Sequence, residues 1–280
     1  MSREVSYKLR VKICSGDSAV DMKPGIESID GSSDVSRILA EYILRNRVPG
    51  RLNEKSPVLT ELEKGLRGSY MQDFKLIIKD PELKQRALEL GNEVFFELFK
   101  SLLHEALHLD TAELSTEANR QAQTLDGELR PKLIRRLRGS LKRMHKTQSA
   151  YNFNVDFQRR KPDTTDSLIL LDQRSLDNLT STTVTERVEE GIATVNRFNS
   201  FTGNGRLLLI GEQDTVSFGL SSEPSLMTLA KRRIVSENLH ENNGVQAENR
   251  SFLSIRFKRL VLPTGDTVKL LIQGVEKVEE

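Results

Sequence analysis

Apolar and polar positions alternate at the start of the chain. Val5, Tyr7, Leu9, Val11 and Ile13 fall on one side of an extended backbone and Ser6, Lys8, Arg10 and Lys12 on the other, the period-two pattern of a half-buried strand. Residues Ser15 to Ser33 are rich in Gly, Ser, Asp and Pro and read as a loop. Gly16, Gly25 and Gly31 lack the spacing, and the following Lys-Ser/Thr, of a phosphate cradle. The period then becomes helical: Val35, Ile38, Leu39, Tyr42 and Ile43 predict a helix from about Asp34 to Asn46, stopped by Pro49-Gly50.

A shorter helical piece is expected around Leu59 to Leu66, and Phe74, Leu76 and Ile78 predict a second strand from Tyr70 to Lys79. Asp80-Pro81-Glu82 carries the signals of a helix start, a capping carboxylate, a proline at the first helical position and an acid near the positive end. The apolar positions that follow predict one long helix from Asp80 to Asp110, packed on the two strands. Further helices are expected from Thr111 to about Ala122 and from Pro131 to near Lys146.

From about Ser149 the chain changes character. Tyr151, Phe153, Val155 and Phe157 alternate with Asn152, Asn154, Asp156 and Gln158, and a turn at Lys161-Pro162-Asp163 leads to a short strand, Ser167 to Leu171. Strands are expected at Thr183 to Phe198 with a bend at Gly191, then Arg206 to Ile210, Thr215 to Leu220, Phe252 to Leu262 and Asp266 to Val275. A helix, Ser225 to about Leu239, lies between the third and fourth of these strands, and a tight turn at Pro263 to Asp266 joins the last two. The pattern predicts an α+β protein with its boundary near residue 148: a helix-rich domain, 1–148, on a small sheet, then a β-rich domain, 149–280, holding a small OB-like or SH3-like barrel.

Composition changes this picture little. With 280 residues, 37% hydrophobic and 29% charged, the chain has the make-up of a water-soluble globular protein. No apolar run reaches the ~20 residues needed to span a bilayer, and the first residues lack the apolar core of a secretory signal, so the expected place is the cytoplasm and no membrane partner is expected. The single cysteine, Cys14, cannot form an internal disulfide and reads as a small apolar residue at a strand end.

Charge changes it more. The whole chain carries +2, yet between Arg130 and Lys161 eleven basic residues accompany one acid, Asp156, a local excess that points to an anionic partner. Within it Leu133, Leu137, Leu141 and Met144 keep helical spacing, so one face can dock on a core while Arg135, Arg136, Arg138, Lys142 and Arg143 are presented on the other. Phosphate is the expected partner. On strand Phe252 to Leu262, Arg256 and Lys258 add charge to one face.

Two stretches resemble known families. His104-Glu105-Ala106-Leu107-His108 fits H-E-x-x-H, in which two imidazoles at i and i+4 on a helix hold zinc and the Glu serves as general base. It is similar to the zincin motif over these five residues only. The metzincin extension is absent, since Thr111 and Leu114 stand where its Gly and third His would be; Glu117 or Glu128 would have to complete the site. The run from Gly191 through Phe198, Asn199, Phe201, Gly203 and Gly205, followed by Val216-Ser217-Phe218, resembles the opening of cold-shock domains. That resemblance implies a five-stranded OB-type barrel, with Phe198, Phe201 and Phe218 as candidate base-stacking aromatics. Arg206, Leu207 and Leu208 stand where that family places aromatics, and the His that closes its third-strand motif is missing after Phe218.

The expected function is a non-enzymatic nucleic-acid-binding or scaffold protein, part of a larger assembly, for DNA or RNA. Its contacts would be Arg135, Arg136, Arg138, Lys142 and Arg143, with Phe198, Phe201, Arg206, Phe218, Arg256 and Lys258 from the barrel. The alternative is a zinc-dependent, peptidase-like hydrolase with His104, His108 and Glu128 as ligands and Glu105 as base; without it, no cofactor is expected. A third expectation is an interaction subunit that docks a protein partner.

Overall fold

The computed structural model describes residues 5–63, 70–221, 226–246, 249–262 and 265–278. The chain divides into two compact units, 1–107 with 124–179 and 108–123 with 180–280. The fold is α+β, with most helices in the first unit and a small barrel in the second. Among the described residues no helix is long and apolar enough to cross a membrane.

In the first unit five antiparallel strands, β1 (Val5–Ile13), β2 (Val58–Leu62), β3 (Met71–Ile78), β4 (Val155–Arg160) and β5 (Thr165–Leu171), lie in the order β2-β3-β1-β4-β5. Its helices are α1 (Met22–Arg45), α2 (Pro81–Leu90) and α3 (Asn92–Ala106), then, after α4 (Thr116–Ala122) of the other unit, α5 (Arg130–Met144), α6 (Lys146–Tyr151) and α7 (Gln173–Thr180). The alternation of β1 is obeyed: Tyr7, Leu9, Val11 and Ile13 are buried. Tyr7 stacks on Phe95 of α3 at 4.3 Å between ring centres, and Phe74, Phe99 and Phe157 continue the core. The opposite face of the sheet is ionic. There the Asp73 carboxylate accepts from Arg10 at 2.6 and 3.1 Å and from Arg160 at 2.6 Å.

Several sequence expectations are overturned here, each for a physical reason. Of the stretch that looks like a loop, Ser15 to Asp21 is one, but Met22 to Ser33 is the first half of α1. Asp21 caps it by accepting from the Lys23 amide, Ser32 and Ser36 bond back to the carbonyls of Ser28 and Ser32 at 2.8 and 2.7 Å, and α5 lies against this small-residue face, so Gly and Ser serve close helix packing rather than a turn. The expected helical piece at Leu59 is strand β2, paired with β3; Lys64, Gly65 and Leu66 lie outside the described residues, as do Pro263 and Thr264 of the expected turn. The long helix is two, broken at Gly91, whose φ of +75° suits a residue without a side chain. Of the helix expected from Thr111, only α4 forms, capped by Ser115. Helix α7 carries no strong sequence signal. The boundary near 148 follows the change of period, but β4 pairs with β1, which carries the first unit to residue 179.

His145, between α5 and α6, is fully buried. Its Nδ1 donates to the Leu141 carbonyl at 2.8 Å, which leaves Nε2 to face the Ser175 hydroxyl at 2.9 Å as an acceptor. Burial pushes this imidazole below its ordinary value, against the Leu141 carbonyl and the Asp172 charge, which favour the proton. Between that lowered value and about 6.5 the unfolded chain binds the proton and the folded chain does not. Stability is therefore complete above about pH 6.5 and is lost as pH falls below it, by up to about 1.4 kcal/mol per pH unit. Urea midpoints at pH 7.5 and 5.5 test this: the wild type should lose stability over a window that a His145→Asn variant crosses unchanged.

The second unit is organised by β6 (Thr183–Val184), β7 (Glu189–Asn199), β8 (Asn204–Leu209), β9 (Val216–Leu220), β10 (Leu253–Val261) and β11 (Thr267–Lys277), with α8 (Leu229–Glu241) between β9 and β10. The pairings β7–β8, β8–β9, β10–β11 and β10–β7 are antiparallel and β9–β11 is parallel. They close a five-stranded barrel with the OB arrangement, which selects it over an SH3-like one. Extra residues, Asn196 in β7 and Val268 and Gln273 in β11, bend the strands enough to close so small a barrel. Val195, Phe198, Leu207, Phe218, Ile255, Leu270 and Ile272 fill the interior. Asn238 ties α8 to it, accepting from the Val195 amide at 2.9 Å and donating to the Ser251 carbonyl at 3.0 Å.

Candidate nucleic-acid interface

Helix α5 starts with Pro131 in its first turn, a position where the missing amide is no loss. Leu133, Leu137, Leu141 and Met144 then recur on one face and are buried. That fixes the outward face, where Lys132, Arg135, Arg138 and Lys142 are exposed. None of these four has an ion-pair partner among the described residues.

The other basic residues of the segment are engaged within the fold. Arg143 meets Asp34 at 2.5 Å and Asp30 at 3.1 Å, and Arg136 donates to the Pro49 carbonyl at 3.1 Å. Lys146 reaches Glu27, Arg159 and Lys161 reach Glu93, and Arg160 reaches Asp73. Arg130 is buried and bonded to Tyr42. Of the five residues expected on this surface, Arg135, Arg138 and Lys142 are therefore available, while Arg143 ties α5 to α1 and Arg136 ties it to the loop that follows α1. Lys132 replaces them on the exposed row; its place every third or fourth residue from Arg135 was a signal in the sequence.

The barrel residues are placed differently from the cold-shock resemblance. Phe198, Phe201 and Phe218 are 8%, 6% and 1% exposed, and Phe198 stacks on Phe218 inside the barrel at 6.1 Å. They are core, so base stacking on them is corrected to packing: closing a barrel this small takes its large apolar side chains inward. Arg206 binds within the unit, to Asp110 at 2.7 Å and to the Thr215 hydroxyl at 2.8 Å. Arg256 lines an open cleft of about 780 Å³ with Arg187, Glu189, Glu190 and Gln273, whose mixed charge favours no one ligand. Lys258 is half-buried on β10.

The helix geometry behind the H-E-x-x-H expectation is absent. Helix α3 ends at Ala106, Leu107 caps it, and the backbone at His108 is left-handed with φ 54°. The two imidazoles therefore do not share a helical stripe. His104 donates from Nε2 to the Leu168 carbonyl at 3.0 Å, Glu105 is buried at 8% exposure, and the Glu105 charge is felt at Tyr42. Glu128 is exposed in a short 3₁₀ turn, Gly127–Leu129. Glu117 is held by Arg120 at 2.8 and 3.0 Å, and the Arg120 hydrogen bond keeps its carboxyl below the usual range. Among the described residues no group of three or more His, Cys, Asp or Glu is placed to hold a metal ion.

Comparison with models of known protein families, with curated proteins and with solved structures finds no match for this chain.

Proposed function

We propose that the protein binds nucleic acid through its phosphates, without catalysis and with little sequence preference, as one component of a larger assembly. The observation that carries this is the row Lys132, Arg135, Arg138 and Lys142, exposed on one helix face and without ion pairs among the described residues. The row runs about 15 Å along α5, from a rise of about 1.5 Å per residue, and duplex DNA presents one charge per about 1.7 Å. A helix that lies in a bilayer interface needs its apolar face for the lipid. Here that face is buried against α1, which leaves charge alone to recognise a partner and favours phosphates fixed along a strand.

Replacing the row by glutamates, Lys132→Glu with Arg135→Glu, Arg138→Glu and Lys142→Glu, tests it. These positions are exposed, so folding should survive. Binding of labelled duplexes at low salt should weaken about 100-fold, and the slope of log affinity against log salt should flatten by about 3 to 4. Duplexes of shuffled sequence should bind alike. Absence of salt-dependent binding by the wild type, to single or double strands, sinks the proposal.

A further inference from the structure

The barrel surface built by β8 and β9 is covered by the chain itself. The Asp110 carboxylate accepts from Arg206 at 2.7 Å and from the Ser217 hydroxyl at 2.5 Å. Nearby, Asn199 donates to the Ala112 carbonyl at 2.9 Å, and Ser200 bonds to Asn119 at 3.0 Å. Residues 110–119 thus form a strap on the barrel within the second unit.

What lies under the strap is cationic. The small cavity there is lined by Arg197, Arg206 and Lys269 against a single acid, Asp110. Lys269 is 5% exposed, and its ammonium lies 2.6 Å from Asn204 Oδ1. Gly219 makes room for it, since a Cβ there would come within 2.9 Å of Lys269 Cε. Withdrawing a cation from water, as at Lys269, is costly unless negative charge or hydrogen bonds answer it, while Arg206 and Asp110 keep 31% and 36% of their side-chain surface exposed. Asp110 records that demand: burial pushes its carboxyl up, but the Ser217 hydroxyl and the Arg206 and Arg197 charges more than offset this and hold it below the usual range.

We propose that this basin is a binding site for a phosphodiester group and that Asp110 is its resident competitor, its two carboxylate oxygens standing where two phosphate oxygens would be held by Arg206 and Ser217. A nucleic-acid phosphate that displaces Asp110 keeps the charge balance of the basin and frees the strap. The choice of a nucleic acid as the source of the phosphodiester rests on the function proposed above; the anion site does not.

The test uses the full chain and crosses Asp110→Asn with the α5 glutamate variant. The probes are a fluorescein-labelled oligothymidylate and inorganic phosphate. Asn keeps the shape of Asp110 without its charge, so the oligonucleotide should bind about tenfold more tightly to Asp110→Asn than to its parent, in both α5 backgrounds. Inorganic phosphate should raise the unfolding midpoint of Asp110→Asn by about 3 °C over chloride at equal ionic strength, and that of the wild type by less than about 1 °C. Should Asp110→Asn fold poorly, Asp110→Ser removes the competing charge while leaving Arg206 and Ser217 in place, and should shift both readouts the same way.

Equal binding by Asp110→Asn and its parent, with no phosphate shift beyond chloride, overturns the site. Phosphate stabilisation without oligonucleotide binding overturns the phosphodiester assignment. A gain in the α5 variant background, beside wild-type binding that ignores α5, upholds this site and sinks the α5 proposal alone.

Discussion

Replacing Asp73 by alanine should cost the first unit about 3 kcal/mol, the scale at which a buried ionic network loses its shared partner. Asp73 lies on the outer face of the sheet yet is only 3% exposed, because Arg10 from the neighbouring strand and Arg160 from β4 close over it. It accepts three charged hydrogen bonds. Removing it leaves two guanidiniums side by side with no carboxylate between them. Glu63, 3.6 Å from Arg160, compensates only in part. The two arginines keep 15% and 29% of their side-chain surface in water, which screens their repulsion and holds the figure near the low end of the range for buried pairs. Urea unfolding followed by far-ultraviolet circular dichroism gives the number. An Arg10→Met, Asp73→Leu, Arg160→Met triple variant should recover most of the loss, since the cost lies in the orphaned charges. A loss under about 1 kcal/mol in Asp73→Ala would show that the network is merely a solvated surface pair.

The network shows which parts of the fold were legible in the sequence. Each of its residues stands at a polar position of an alternating strand, so the alternation of β1, together with β3, β4 and the barrel strands, could be read from period two alone. The partners could not: Arg10 and Asp73 are 63 residues apart, and nothing local names one for the other. The same gap hid the answer to Arg206. Its basic side chain invites an anion, and the structure supplies Asp110, 96 residues away, from a segment that reads as the end of a long helix. The row on α5 was partly legible because a helix carries its own coordinate system. The buried leucines fix which cations face outward, and only those that meet distant acids, such as Arg143 with Asp34, are misassigned. Phe198 and Phe218 were misread for the opposite reason: an aromatic in a strand has the same signature whether it faces solvent or core.

Gly31→Leu should destabilise the first unit by at least about 3 kcal/mol, and the comparison with other glycines makes the cause testable. A Cβ at Gly31 would stand 2.5 Å from the Ser140 carbonyl oxygen and 2.6 Å from the Met144 amide nitrogen. Both are backbone atoms of α5, hydrogen-bonded in their own helix, and neither can rotate away as a side chain would. Overpacking an ordinary core costs about 1 to 3 kcal/mol because neighbours change rotamer; here the two helices must separate along their length. Gly31→Ala should already carry much of the cost, although alanine favours a helix by about 1 kcal/mol over glycine. Gly25 sits in the same helix with only the Val20 and Ile13 side chains near, at 3.2 and 3.9 Å, so Gly25→Ala should be close to neutral. Gly139 lies on the exposed side of α5 with nothing within 4 Å of a Cβ, and there alanine should stabilise by about 0.5 to 1 kcal/mol. If the three alanine variants instead move together, helix propensity governs them and the close approach of α1 to α5 carries no energetic weight. If they split in the order Gly139, Gly25, Gly31, the composition that reads as a loop is what lets the basic helix seat its leucines and turn its cations to solvent.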